Sequence, residues 1–386
     1  MIGSSKVRLH SLDALRGLAA LAVVCWHWQH LQLLAPANGG TVWPPPTGSV
    51  DRSIQPAYGL LRIFYEHGYV AVDLFFVISG FIFFWLYREK LESRLLSIGE
   101  FAVLRFSRLY PLHFVVLLIV AALQYTFIHL NGQPFIYPAN NGLRFLLALF
   151  FYQSMGHGSF NGPEWSLTIE IFMYALFCVL ARWGLLRRAL VPAIIVIAGL
   201  AIADSHNVSR GLCGFFTGGL TFMAFTRIVR LPNVRKLIAL LLGICVVGWA
   251  LVIADIYGST MATSLMETLT FRSQTVALYA VSYLLFPATV LLVGIHENVY
   301  GVQYKSIAWL GEISYSSYIL HFPLQLSVAV LVICGVLPTD LAQSGLFMLL
   351  YFSVLIPLSV VVFRKFEMPM QTVLRLQWKR YSAAAP

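Results

Sequence analysis

The residues of this sequence that could do chemistry are few, and they sit where charge is costly. Arg16 and His27 lie eleven residues apart in one apolar stretch. At 3.6 residues per turn that spacing returns both to one face, roughly 16 Å apart along the axis. Asp73, Glu170 and His321 are likewise embedded in apolar runs. Counted from the ends of those runs, Asp73 lies roughly 8 Å below the outer surface and Glu170 at a similar depth, with His321 roughly 21 Å from the inner face. Together with His27 they form one layer in the outer part of a membrane. Ionisable side chains inside a bilayer are rare, and they line cavities or pathways. A lone membrane histidine is more often a packing group, but two histidines and two carboxylates at one depth favour a site. A histidine with a carboxylate is suited to removing a hydroxyl proton: the ring takes the proton, and the carboxylate orients it and stabilises its cation.

A second group is basic. Arg105 and Arg108, in RFSRLYPLH, are three residues apart and share a helix face at the inner end of a span. Cytoplasmic anchoring by positive charge accounts for this pair as readily as function does. Read as a site, paired guanidiniums bind phosphate well, and Arg16 would extend them into a basic inner mouth. A donor with phosphates at one end and a reactive group on a long thin arm could dock there and reach His27. Coenzyme A thioesters have that shape.

The elements that position these residues must be membrane helices. Of 386 residues, 59% are apolar and 11% charged, and mean hydropathy is +0.78. A soluble domain carries about a quarter charged residues, so a water-facing globule, a disordered tail and a disulfide scaffold are excluded. Spanning helices need roughly 20 apolar residues. The candidates are 12–34, 68–87, 109–130, 165–182, 189–204, 208–226, 237–255, 273–295, 307–335 and 345–363. The stretch 143–155 is too short to cross and reads as re-entrant or interfacial. The first stretch contains Arg16 and His27 and lacks a clean cleavage site, so it reads as a mature helix rather than a signal peptide.

With the N-terminus inside and ten helices alternating, all 26 lysines and arginines fall inside except Arg52, Arg62, Arg144, Arg210 and Arg272. That is the positive-inside pattern, and it explains the net charge of +10 without nucleic acid as a partner. The expected architecture is an all-α polytopic membrane protein of about ten transmembrane helices with both termini cytoplasmic. It forms a single domain over 1–386, with its core at 12–363 and a basic tail at 364–386. The long Pro/Gly-rich loop 35–67 is expected outside. Cys25, Cys178, Cys213, Cys245 and Cys334 lie in apolar runs without zinc spacing, and read as packing residues.

Five segments, in order, resemble the acyltransferase-3 family of membrane acyltransferases. They are LDALRGLAALAVVCWH at 12–27, GYVAVDLFFVISGFIF at 68–83, RFSRLYP at 105–111, EWSLTIEIFMY at 164–174 and LGEISYSSYILHFPL at 310–324. The resemblance implies a ten-helical core that moves acyl groups, usually acetyl, from cytosolic acyl-CoA. Family acceptors are mostly sugar hydroxyls of lipopolysaccharide, exopolysaccharide or peptidoglycan, and sometimes small lipophilic molecules such as macrolides. By resemblance His27 is the catalytic histidine and Arg16 its signature partner, while Arg105 and Arg108 hold the donor. Asp73 and Glu170 match acidic positions of the family. Two features depart from a common form: no hydrolase-like domain is expected after the helices, and Glu312 lies where no fixed acid is expected.

The expectation is therefore an O-acyltransferase of the bacterial cytoplasmic membrane. His27, Arg16, Asp73 and Glu170 are its catalytic residues. Arg105, Arg108 and Arg16 bind acetyl-CoA, and Glu164, Trp165 and His321 lie on the acceptor side. No metal is expected. The partners are a carbohydrate or glycolipid acceptor, membrane lipid and glycan-assembly machinery. Trp43 and His157 also lie on the outer side, where anchoring explains them better than sugar stacking. A proton-linked transporter is the rival of a different class, since buried His and Asp also suit a proton relay.

Overall fold

A computed structural model describes residues 8–34, 51–138, 140–152, 160–202, 207–270, 273–302 and 304–384. Trp43 and His157 lie outside the described residues. The described chain is helical, with no strand. The helices used below are α1 (His10–Trp26), α2 (Ala71–Leu86), α3 (Ile98–Asn131), α4 (Trp165–Arg182), α5 (Asn207–Ile228), α6 (Phe286–Tyr300), α7 (Lys305–Glu312), α8 (Ser314–Ile333), α9 (Gly345–Val362) and α10 (Met368–Ala384).

Each of the ten apolar stretches is largely helical where described, although 307–335 breaks at Ile313 into α7 and α8 and 12–34 breaks after Trp26, and the chain is a multi-pass membrane protein. Among the described residues, seven helical stretches are long and apolar enough to cross: Tyr58–Leu86, Ile98–Asn131, Gly162–Arg182, Val234–Ile256, Gln274–Tyr300, Ser314–Ile333 and Gly345–Ala383. Helix α1 has 17 residues and Leu190–Ala201 has 12. The segment expected to be too short to cross is an eight-residue helix, Gly142–Leu149.

Three boundaries differ from the sequence reading. Helix α3 starts at Ile98 because Ser97 caps it, its hydroxyl accepting from the Glu100 N–H at 3.0 Å. Ser97 and Glu100 have the Ser-x-x-Glu spacing of a capping box, and Arg105 and Arg108 are therefore helical. Helix α1 stops at Trp26, where the bonding tightens: the His27 N–H still reaches Val23, but the Trp28 N–H reaches only back to Cys25. Residues 364–384, expected as a basic tail, continue as helix through a π-turn at Phe363–Glu367 into α10. In addition, the helix Tyr58–His67 occupies part of the expected outer loop.

The chain forms two compact units. The first comprises Met1–Ala20, Val70–Glu89 and Trp183–Ser314. At its centre α2 packs against α5 backbone to backbone. A Cβ at Gly80 would strike the Phe215 carbonyl, and one at Gly218 would strike that of Val77. Lipid tails are as apolar as the helix surfaces, so close van der Waals contact through small residues is what joins such a pair. Phe81, Phe83, Phe215 and Phe222 fill the flanks with edge-to-face contacts. The start of α1 is held by Glu297 of α6, whose carboxylate accepts from the N–H groups of His10 (2.9 Å) and Ser11 (2.8 Å). A carboxylate at a helix N-terminus satisfies orphan donors and complements the helix dipole.

The second unit comprises Leu21–Tyr69, Lys90–Arg182 and Tyr315–Pro386. Here α10 lies along α3. The Trp378 ring packs on Gly99, and Arg375 Nε donates to Ser107 Oγ at 3.1 Å. Ser107 sits between Arg105 and Arg108. Tyr315 at the start of α8 donates to the Leu109 carbonyl at 2.6 Å.

Candidate active site

The second unit gathers most of the expected residues. His27 follows the last turn of α1 and His321 projects from α8. Both are buried, and His321 Nε2 lies 3.2 Å from His27 Nδ1. His321 Nδ1 is 2.5 Å from the Tyr318 carbonyl on its own helix. One turn further along α8, Gln325 Nε2 donates to the His27 carbonyl at 3.0 Å. The Gln325 side-chain oxygen lies 3.0 Å from His30 Nδ1, and Tyr137 OH lies 3.4 Å from His30 Nε2. The Tyr351 hydroxyl fixes the His321 backbone by donating to its carbonyl at 2.7 Å. A three-ring histidine cluster is thus held at both its side chains and its main chain.

Next to this cluster in the chain of bonds lies a second polar group. Tyr318 OH donates to the Pro163 carbonyl at 2.6 Å and lies 2.8 Å from Ser166 Oγ. Asn161 Nδ2 bridges Glu164 Oε1 (3.2 Å) and the Ile319 carbonyl (3.3 Å). The other oxygen of Glu164 lies 3.2 Å from His113 Nδ1, both side chains wholly buried. His113 Nε2 meets the Ala148 carbonyl at 2.9 Å. Trp165 begins α4 beside this group and is half-buried.

The remaining expected residues have other partners. Glu170 accepts from Tyr174 OH one turn along α4, and the Arg105 guanidinium lies 5.8 Å from the centroid of the Tyr174 ring. In the first unit Asp73 accepts from Arg210 Nε and Ser282 Oγ, both at 2.8 Å. Arg16 donates to the Gly311 carbonyl and to Ser314 Oγ, and lies 3.4 Å from Asp13. It thereby binds the junction between α7 and α8. Glu312 pairs with Arg8 at 2.7 Å. The layer inferred from depth thus has distinct members: His27 and His321 meet, while Asp73 and Glu170 carry their own hydrogen bonds.

Sequence reasoning missed His30, Gln325, Tyr137, Asn161 and His113. Two had a usable signal. His27 and His30 are three apart, and His321 and Gln325 four apart, so each pair shares a helical face. Tyr137, Asn161 and His113 reach the site from distant segments and leave no spacing to read.

A polytopic helical chain with a buried histidine cluster and paired arginines has the make-up of a membrane acyltransferase. A family model described as an acyltransferase domain, that of the acyltransferase-3 family, matches residues 9–364, and the chain belongs to that family. It is 28% identical over 347 residues to "Acyltransferase MdmB" of Streptomyces mycarofaciens, covering 82% of this chain and 79% of that protein. It is 30% identical over 216 residues to "Protein 2 in picA locus" of Rhizobium radiobacter, covering 52% of this chain and 95% of that protein. No solved structure matches. Family membership sets the transporter reading aside.

Proposed function

We propose that the protein transfers an acyl group, acetyl by preference, from cytosolic acyl-CoA to a hydroxyl of an extracytoplasmic or lipid-linked carbohydrate, with His27 as the base. The observation that carries this reading is the buried contact between His27 and His321 in a chain whose family transfers acyl groups. The hydroxyl proton passes to the His27 ring as the oxygen attacks the thioester carbonyl. A C–O bond forms, the C–S bond breaks, and the proton is handed to the departing thiolate.

Arg105 and Arg108 hold the donor phosphates, which guanidinium pairs suit. Arg16 contributes by fixing the junction of α7 and α8 against α1. Asp73 and Glu170 act through the groups they orient, Arg210 and Tyr174. Glu164 and Trp165 belong to the acceptor side. The reading includes one domain of ten spans in the bacterial cytoplasmic membrane, with both termini in the cytosol and partners among lipid-linked glycan assembly. The distribution of basic residues supports this topology, and seven of the described helical stretches are long and apolar enough to cross.

The test compares envelope glycans and secreted polysaccharide of a deletion strain carrying either wild type or His27→Ala. An acetyl mass increment seen only with wild type is the expected result, and mass spectrometry would also name the acceptor. An increment with both versions removes His27 from the chemistry. An unchanged glycan profile moves the acceptor to a small lipophilic molecule.

A further inference from the structure

We infer that His321 is a positioning residue which fixes the tautomer of His27, so that the base is oriented by a neutral histidine instead of a carboxylate. The inference rests on His27 being the base, and it specifies the basic atom as Nε2. The protons follow from the acceptors around the two rings. His321 Nδ1 faces the Tyr318 carbonyl. A carbonyl oxygen only accepts, so that nitrogen carries the hydrogen. In a neutral ring the lone pair is then on Nε2, and His321 can only accept there. The group it faces is His27 Nδ1, at 3.2 Å, which must therefore donate. With hydrogen on Nδ1, the lone pair of neutral His27 is on Nε2.

The same logic runs through the neighbouring ring. Taking the Gln325 amide orientation that lets its nitrogen donate to the His27 carbonyl, its oxygen accepts from His30 Nδ1–H, and His30 Nε2 accepts from Tyr137 OH. Thus α8 holds His27 twice, His321 by the ring and Gln325 by the main chain. When His27 takes the hydroxyl proton on Nε2, its Nδ1–H bond to His321 strengthens, because charge-assisted hydrogen bonds are the stronger kind. The cation is stabilised by a lone pair on the His321 ring, and no formal negative charge is required beside it.

Steady-state kinetics of His321→Leu and His321→Gln, in detergent-purified protein whose melting temperature is measured alongside, test this. His321→Leu removes the side-chain acceptor and leaves the Val23 carbonyl, which also accepts from the His27 ring. Its kcat should fall about 10²–10⁴-fold, the range that a general base contributes, with KM for acyl-CoA and for acceptor within about twofold of wild type. His321→Gln offers an amide oxygen at similar reach and should recover at least tenfold of that loss. A folded His321→Leu protein with unchanged kcat overturns the inference. So does one in which only the acceptor KM rises, which would make His321 an acceptor-binding residue. A His321→Gln protein that is folded but no better than Leu also overturns it. If His27→Ala remains active, the base assignment itself has failed, and that outcome is separate from all of these.

Discussion

His113 and Glu164 are both wholly buried and 3.2 Å apart, so each is the other's compensation for leaving water. Removing one partner of such a pair strands a charge, at a cost of about 3–5 kcal/mol, whereas replacing both with apolar residues is often neutral. His113→Leu should therefore lower the thermal midpoint sharply, and His113→Leu with Glu164→Leu should regain most of it. Differential scanning fluorimetry in detergent would read both, and equal midpoints for single and double variants would show that the pair is not coupled. The sequence pointed to Glu164 through its position beside Trp165, but not to its partner 51 residues upstream. The same holds for Asp73, whose ties to Arg210 and Ser282 link segments far apart in the chain. Depth along a span can be counted from sequence. The direction in which a side chain faces its neighbours cannot: of the four residues grouped by depth, His27 and His321 meet, while the partners of Asp73 and Glu170 went unread.

At the scale of elements, the α2–α5 pair depends on four glycines: Gly80, Gly214, Gly218 and Gly219, each facing atoms of the other helix too close to admit a Cβ without displacement. Gly218→Val should abolish recovery of monodisperse protein on size-exclusion chromatography. Gly243→Val is the control, since nothing lies within 4 Å of a Cβ there, and it should behave as wild type. Equal recovery of the two variants would mean that this crossing does not hold the first unit together. The apolar runs made the helices themselves easy to find, because hydropathy is local. Their ends were harder. The Ser97 and Glu100 cap lies outside the apolar run of α3, and the basic residues of α10 read as solvated tail until it is seen lying on α3.

For the whole molecule, the decisive question is which side each loop faces. Cys334 is the exposed cysteine of the five and the other four are buried, so the protein already carries a single reporter. With ten spans it lies on the outer side, after α8. An impermeant maleimide should label it in intact cells, and labelling of Ser382→Cys in a Cys334→Ser background should require permeabilised cells. Reversal of the two results would invert the topology. Charge counting is well suited to this scale, since it sums over all loops and tolerates errors of a few residues at each helix end. The division into two compact units left no trace in composition, because both are built from the same apolar helices.

The stretch 345–384 passes from the apolar α9 into the basic α10 without leaving helical bonding, and its far part is pinned by Arg375 to the serine between Arg105 and Arg108. For anyone preparing this protein, the carboxyl end is therefore a poor place for a handle. A fluorescent protein or affinity tag fused there would hang its weight and drag on a rigid lever whose other contact is the arginine motif. A fusion that reports normal expression and correct localisation could still return a false kinetic phenotype.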